Sequence, residues 1–254
     1  MSVKEIYNAN KQRILTSFVL LFVVGAVAFM DNLFVTWLFF GVVYLVSFKE
    51  AMALFDIDDR KYYAYAAALW LAAFIYPNPD DLTFVVLIVV VSIMIHKKEL
   101  NFKLLAPFLY PSVSMLFLIA LYKDFGLNSL IWLFVIVTSA DIGAYVVGKS
   151  IGKTPFSITS PNKTWEGVAG GILLATVLGT LFGLTSVNLF SSLLVSFLVS
   201  LSSVWGDLFE SYLKREARVK DSGDIFPGHG GMLDRSDGYM FASIIMLVLL
   251  RGLL

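Results

Sequence analysis

The chain has 254 residues, of which 58% are hydrophobic and 15% are charged. Charged residues alone make up about a quarter of an ordinary soluble domain, so this composition excludes a water-soluble globular protein and indicates an integral membrane protein. The net charge of zero gives no support to a nucleic-acid partner, and the absence of cysteine excludes disulfides and thiolate metal sites.

Apolar runs of roughly 17 to 25 residues can cross a bilayer as helices, because a helix satisfies its backbone hydrogen bonds internally. About nine such runs follow one another, which predicts an all-α, polytopic membrane protein. The predicted spans are Ile14 to Met30, Leu33 to Phe48, Tyr62 to Tyr76, Leu82 to Ile95, Leu104 to Tyr122, Leu130 to Val147, Val168 to Leu184, Leu189 to Leu208 and Gly238 to Leu254.

Basic residues are unevenly divided between the two sides that nine alternating spans define. Seventeen lie on the side that carries the N-terminus, whereas only Lys123 and Arg251 lie on the other. Since Lys and Arg concentrate in cytoplasmic loops, we expect the N-terminus and the highly charged loops to face the cytoplasm.

Polarity divides the chain into two regions. Residues 1–128 are predicted to be a transmembrane scaffold, with an amphipathic cytoplasmic link from Glu50 to Lys61 and a short outer turn from Asn78 to Asp81. Residues 129–254 are predicted to be a catalytic transmembrane region, because the polar motifs collect there.

Asp141 lies inside the sixth predicted span, within an apolar stretch. An ionised carboxylate at the bilayer centre costs about 2.5 to 3.5 kcal/mol on insertion scales, so such a residue normally faces a polar cavity or a partner. The alternative is a helix-packing Asp satisfied by Ser139 or Tyr145. In either case Gly143 and Gly148 allow close helix contact.

The run SPNKTWEG, residues 160–167, leads into the seventh predicted span. Its Ser-Pro start and Thr-x-Glu pattern favour a helix N-terminus, where free N–H groups and the positive dipole end attract anions. Lys163 adds a mobile cation. The run is therefore either a phosphate site or an ordinary helix cap.

The most charged stretch, residues 203–237, holds twelve charges in 35 residues, against 26 in the other 219. If the eighth span continues as one helix, Ser203, Asp207, Glu210, Ser211 and Lys214 fall close to spacings of three or four and share one face. This pattern predicts an acidic stripe followed by cations at the membrane edge.

A glycine-rich loop follows that helix. Asp221-Ser-Gly-Asp224 and Pro227-Gly-His-Gly-Gly231 break the helix and permit positive φ angles and close backbone approach to a ligand. Asp234 and Asp237 close the loop as the ninth span begins. Oxygen ligands beside Lys and Arg indicate Mg²⁺ with phosphates rather than zinc. The alternative is a solvated loop that touches lipid headgroups.

Three motifs carry a family resemblance. They are Asp141-x-Gly143-Ala144-Tyr145, then SPxKTWEG at 160–167, and the long motif Ser211-x-x-Lys214-Arg215, Lys220-Asp221-x-Gly223 and Pro227-Gly228-His229-Gly230-Gly231-x-x-Asp234-Arg235-x-Asp237. Together these motifs resemble the signature of the phosphatidate cytidylyltransferases, also called CDP-diacylglycerol synthases.

The resemblance implies transfer of a cytidylyl group from CTP to phosphatidic acid with Mg²⁺, giving CDP-diacylglycerol and pyrophosphate in the inner (plasma) membrane. The lipid phosphate is itself the nucleophile, so no serine or cysteine nucleophile is needed, and alignment and charge stabilisation supply the catalysis. Membrane lipids are the surrounding partners, and the oligomeric state stays open, with a homodimer as one arrangement.

Roles for individual residues follow from this resemblance. The catalytic candidates are Asp207, Lys214 and Asp234. The candidate metal ligands are Asp207, Asp221, Asp234 and Asp237. The candidate nucleotide or phosphate contacts are Ser160, Asn162, Lys163, Ser211, Arg215, Lys220, His229 and Arg235, with Asp141 as a further polar residue within the membrane.

Two other functions compete with this hypothesis. A CTP-dependent polyprenol or phytol kinase would transfer the terminal phosphate and release CDP. An ion-coupled transporter predicts acids spread through the bilayer centre in several helices, whereas here the acids gather at one end of the predicted spans.

Overall fold

The computed structural model describes residues 3–98, 102–226, 228 and 230–254, with side chains described from residue 15 onward except at residue 102. Within these residues the protein is all-helical, with two isolated β-bridges and no strand. The helices are α1 (Val3–Met30), α2 (Leu33–Leu54), α3 (Lys61–Ile75), α4 (Leu82–His96), α5 (Val113–Ile151), α6 (Trp165–Gly183), α7 (Leu189–Glu216) and α8 (Leu233–Leu253).

Six helical segments in the described chain are long and apolar enough to cross a membrane. They cover Leu33–Leu54, Pro79–His96, Lys103–Ile151, Trp165–Gly183, Leu189–Glu216 and Leu233–Leu253. The all-α membrane class predicted from composition is therefore confirmed. The apolar part of α1, Leu15–Met30, and the 15-residue helix α3 are shorter.

The longest segment combines the fifth and sixth predicted spans. Its 49 residues would measure about 73 Å as one straight helix, more than twice the hydrocarbon thickness of roughly 30 Å. Gly126 interrupts it, with a φ of 70° that a residue with a side chain rarely adopts. Ser129 Oγ lies 3.1 Å from the carbonyl oxygen of Leu121 and 2.7 Å from that of Gly126. Its hydroxyl therefore donates to carbonyls at the break.

Glycines bring α5 and α6 into close contact. A Cβ atom built on Gly171 would lie 2.5 Å from the carbonyl oxygen of Ala140, and one built on Gly143 would lie 2.9 Å from Gly171 Cα. Only residues without side chains allow this approach, as predicted for Gly143. Helices α7 and α8 complete the core around fully buried Trp132 of α5 and Met240 of α8.

One end of this bundle carries an ion cluster. Arg251 of α8 donates to Asp80 at 2.5 and 3.0 Å and to Asp124 at 2.7 Å. Nearby, Lys123 Nζ donates to two carbonyls in the last turn of α3, each at 3.1 Å, and to that of Tyr76, just after this helix, at 2.7 Å. Lys123 and Arg251, the two basic residues of the predicted outer side, therefore both have partners at this end of the bundle. We call it the far end, because it lies opposite the start of α8.

Two predicted boundaries were wrong. Helix α8, which corresponds to the ninth predicted span, begins at Leu233 rather than Gly238, because Leu233 and Asp234 already lie in its first turn. The predicted link from Glu50 to Lys61 was wrong at its start, since α2 continues to Leu54 and Glu50 is buried with 8% exposure.

Candidate active site

The polar face predicted in the eighth span lies on α7, which runs unbroken to Glu216 as expected. Ser211 Oγ donates to Asp207 Oδ1 at 3.4 Å, one helical turn away. Lys214 Nζ lies 3.1 Å from Glu210 Oε2 on the same helix. This face is turned inward, since Ser203 and Glu210 are buried.

Asp234, at the start of α8, completes a cluster with α7. Its Oδ1 accepts a 2.6 Å hydrogen bond from Lys214 Nζ, and the two side chains are only 4% and 12% exposed. Its Oδ2 accepts from the backbone N–H groups of Ser222 at 2.8 Å and Gly231 at 2.7 Å. A charged and nearly buried pair of this kind is held by charge-assisted hydrogen bonds, so Lys214 and Asp234 have fixed positions.

The segment between α7 and α8, residues 217–232, is called here the glycine loop. Gly228 and Gly230 have φ angles of 77° and 79°, as predicted for this motif. A Cβ on Gly230 would also lie 2.6 Å from Asp234 Oδ2, so this glycine lets the backbone pass the carboxylate. Pro227 and His229 lie outside the described residues, and with them the predicted phosphate contact of His229.

A second wall comes from the loop before α6. Thr164 caps this helix by accepting from Gly167 N at 3.2 Å, which confirms the predicted helix start. Glu166 accepts from Lys153 N and Thr154 N at 3.2 Å each, and so fixes the loop from α5. Lys163, just before the cap, forms an ion pair with Asp207 of α7. The loop therefore delivers its cation to the same face that carries Lys214.

Asp141 lies on the accessible surface of α5, close enough to Asp207, Lys163 and Arg235 for electrostatic interaction. In the described chain Asp141 has no hydrogen bond to Ser139 or Tyr145. Tyr145 is instead the acceptor of a 3.3 Å hydrogen bond from Lys149. The contacts therefore favour the polar-cavity interpretation over the helix-packing one.

Carboxylates crowd the space between α7 and α8. Asp237 lies next to Glu210 and near Asp207, and Glu210 Oε1 is buried with no hydrogen-bond partner in the described chain. Carboxylate oxygens are the ligands that a hard cation such as Mg²⁺ prefers, and the unpartnered Glu210 Oε1 is available as one of them. No three described Asp, Glu or His side chains converge as a ready-made metal site, because Asp207 and Asp234 are each turned toward a lysine.

A cytidylyltransferase family model matches residues 11–253, almost the whole chain. The chain belongs to the cytidylyltransferase family. It is 42% identical to the phosphatidate cytidylyltransferase of Helicobacter pylori strain J99 over 98% of this chain and 94% of that protein. It is 46% identical to the phosphatidate cytidylyltransferase of Bacillus subtilis strain 168 over 50% of this chain and 49% of that protein.

Several predicted site residues of this cytidylyltransferase lie apart from the cluster. Asp221 and Lys220 are exposed on the glycine loop, and in the described chain their side chains have no hydrogen bond or ion pair. Arg215 is exposed, and its side chain donates to the carbonyl of Val219 at 3.5 Å as its one hydrogen bond within the described residues. Asn162 is exposed and Ser160 half-buried in the turn before Lys163, where the Ser160 carbonyl accepts from Lys163 N at 3.1 Å.

One residue of the site comes from the half of the cytidylyltransferase that was predicted to be scaffold. Glu50 of α2 accepts from Met232 N at 2.9 Å, from Leu233 N at 2.8 Å and from Ser222 Oγ at 3.1 Å. Nothing in the local sequence distinguishes Glu50 from a charged residue at the end of a span. The glycines facing it, Gly223 and Gly231, were the available signal, but their role was assigned to backbone freedom.

Proposed function

We propose that the protein is a phosphatidate cytidylyltransferase, which makes CDP-diacylglycerol and pyrophosphate from CTP and phosphatidate. The observation that carries this proposal is the pairing of Lys163 with Asp207 and of Lys214 with Asp234 at one end of a membrane bundle. The relatives that share almost the full chain length have this activity in their names, which supports it over the kinase and transporter hypotheses.

The reaction needs no covalent intermediate with the protein. A phosphate oxygen of phosphatidate attacks the α-phosphorus of CTP, a new P–O bond forms, and the bond from the α-phosphorus to the bridging oxygen breaks as pyrophosphate leaves. In such a transfer the protein contributes alignment and stabilisation of negative charge. Lys163 and Lys214, which reach the polar face from separate elements, supply positive charge that stabilises this negative charge.

We assign the ligands of a divalent cation to Asp207 and Asp237, with Glu210 beside them, because these carboxylates lie close together and Glu210 Oε1 has no hydrogen-bond partner in the described chain. A bound Mg²⁺ supplies charge neutralisation at the phosphate oxygens. Asp234 is assigned to hold Lys214, and Asp221 stays an auxiliary candidate. The proposed phosphate contacts are Ser160, Asn162, Lys163, Ser211, Arg215, Lys220, His229 and Arg235.

We also propose nine membrane passes, with the N-terminus and the catalytic cluster on the cytoplasmic side of the inner membrane. The break at Gly126 allows the longest segment to pass twice, and the two shorter apolar helices supply the remaining passes. The division of the basic residues supports the orientation, because only Lys123 and Arg251 are assigned to the outer side. These two residues have partners at the far end, and Asp234 lies about 26 Å from Arg251 along α8, which places the catalytic cluster toward the opposite side.

Purified protein with CTP, Mg²⁺ and phosphatidic acid in detergent tests the activity. We expect pyrophosphate and lipid-linked cytidine in equal amounts, and dependence of both on Mg²⁺. In a parallel reaction with polyprenol or phytol in place of phosphatidic acid, release of CDP with the phosphorylated alcohol, and no pyrophosphate, would identify the kinase instead. Addition of EDTA to the same reaction should abolish turnover.

A further inference from the structure

The Glu50 carboxylate is buried without an ion-pair partner in the described part of the chain. Among the described residues it accepts hydrogen bonds only from the glycine loop and from the first residue of α8, across 172 to 183 residues of sequence. A buried carboxylate needs such partners to offset the loss of water, and the N-terminus of a helix favours negative charge. Glu50 therefore fixes the end of α8 relative to α2.

The same contacts connect Glu50 to the catalytic cluster. Ser222 Oγ lies 3.1 Å from Glu50 Oε2 and 2.9 Å from Asp234 Oδ2, so one hydroxyl stands within hydrogen-bond distance of two carboxylates. Asp234 in turn holds Lys214. A shift of the Glu50 carboxylate would therefore reach Lys214 through three hydrogen bonds, Glu50 to Ser222, Ser222 to Asp234 and Asp234 to Lys214.

The backbone of the glycine loop is shaped around Glu50. A Cβ on Gly223 would lie 2.5 Å from Glu50 Oε1, and one on Gly231 would lie 2.6 Å from Glu50 Oε2. Neither glycine has a positive φ angle, unlike Gly228 and Gly230. Their lack of a side chain thus makes room for the Glu50 carboxylate rather than permitting a left-handed turn.

We propose that Glu50 is a positioning residue of the active site, which sets Asp234 and Lys214 through Ser222 and the start of α8. Among the described residues Glu50 touches no group assigned to substrate, so we assign its effect to these partners. The inference rests on the proposed function for its kinetic effect, whereas its structural effect on the loop is independent of the substrate.

Glu50→Gln tests this role, with Asp58→Asn as the matched control on the exposed segment after α2. The amide replaces one acceptor oxygen with a donor that faces other donors. We expect kcat/KM to fall about ten-fold or more. Hydrogen exchange should accelerate in residues 219–236, while peptides of the far end around Asp80 and Arg251 should exchange as in the parent.

Gly223→Ala supplies a second variant that leaves Glu50 itself intact. It should displace the carboxylate and lower kcat/KM, and the effect should shrink in the Glu50→Gln background because both changes act on one contact. If Glu50→Gln does not purify, Gly223→Ala alone decides the question, since parental turnover in that variant would overturn the role.

Two other results would also overturn it: parental kcat/KM in Glu50→Gln, or faster exchange at both ends of the bundle, which would mark a general structural role. A parent protein without cytidylyltransferase activity, but with exchange in residues 219–236 that responds to Glu50→Gln, would refute the proposed function and retain the positioning role.

Discussion

Lys163 and Lys214 approach the same polar face from different elements, and each lies against a carboxylate of that face. Lys163 belongs to the loop before α6 and pairs with Asp207, whereas Lys214 belongs to α7 and pairs with Asp234. A triphosphate that binds here competes with carboxylates for both ammonium groups. Each lysine can therefore bind a phosphate strongly only if its carboxylate gains another partner when the ion pair breaks.

Removal of the Lys163 cation is expected to weaken the use of CTP. A charge-assisted hydrogen bond contributes about 1.5 to 3 kcal/mol, so Lys163→Ala should raise the KM for CTP roughly ten-fold or more. Lys153→Ala, an exposed lysine of the same loop, should leave it unchanged. Steady-state kinetics with both substrates measures the effect, and a change only in the KM for phosphatidic acid would assign Lys163 to the lipid.

The carboxylates separate into two groups with different expected phenotypes. Asp207→Asn and Asp237→Asn should purify with parental melting temperature, lose activity by about two orders of magnitude or more, and require more Mg²⁺ for the residual turnover. Asp234→Asn should lose melting temperature as well, because Asp234 accepts from two loop amides and Lys214. Parental Mg²⁺ dependence in Asp207→Asn would contradict its assignment as a metal ligand.

At the scale of elements, the sequence predicted those features that depend on residues within one or two helical turns of each other. The spacing of Asp207, Ser211 and Lys214 placed them on one helical face, and Thr164 was recognisable as a cap because capping depends on three adjacent residues. The partners of Glu50 were not predictable, since its hydrogen bonds cross more than 170 residues of sequence. For the same reason the pairing of Lys163 with Asp207 was not foreseen, although both residues had been assigned to the site.

The contact between α5 and α6 depends on the absence of side chains at its centre. Gly171→Ala places a Cβ 2.5 Å from the carbonyl oxygen of Ala140 and 3.0 Å from Ala144 N. Overpacking of this kind typically costs about 1 to 3 kcal/mol, so the variant should melt at lower temperature in detergent.

Gly25→Ala is the control for this change, because a Cβ at this helical position meets nothing within 4 Å. Alanine is the better helix former, so the control should melt at or above the parental temperature. Equal melting temperatures for both variants would show that α5 and α6 can separate without cost.

At the scale of the whole molecule, the proposed orientation predicts which positions face outward. The chain has no cysteine, so single cysteines can be introduced and probed in intact cells with a membrane-impermeant thiol reagent. Asn78→Cys, exposed at the far end, should react, and Ile158→Cys, 100% exposed in the loop before α6, should react only after lysis. Asp80 lies in the same outer turn as Asn78 but is unsuitable for labelling, because it is buried against Arg251. Reaction of Ile158→Cys in intact cells would contradict the proposed orientation, because it would place the loop before α6 outside the cell.

Helix α8 is attached at both ends to carboxylates of the first half of the chain. Glu50 accepts from the amide of Leu233 at one end, and Asp80 accepts from Arg251 at the other. A piston-like slide of α8 by one helical turn, about 5.4 Å, would break both attachments together. The two attachments therefore oppose sliding of α8 along its axis, and we expect any motion that admits a lipid headgroup to involve the segments beside α8.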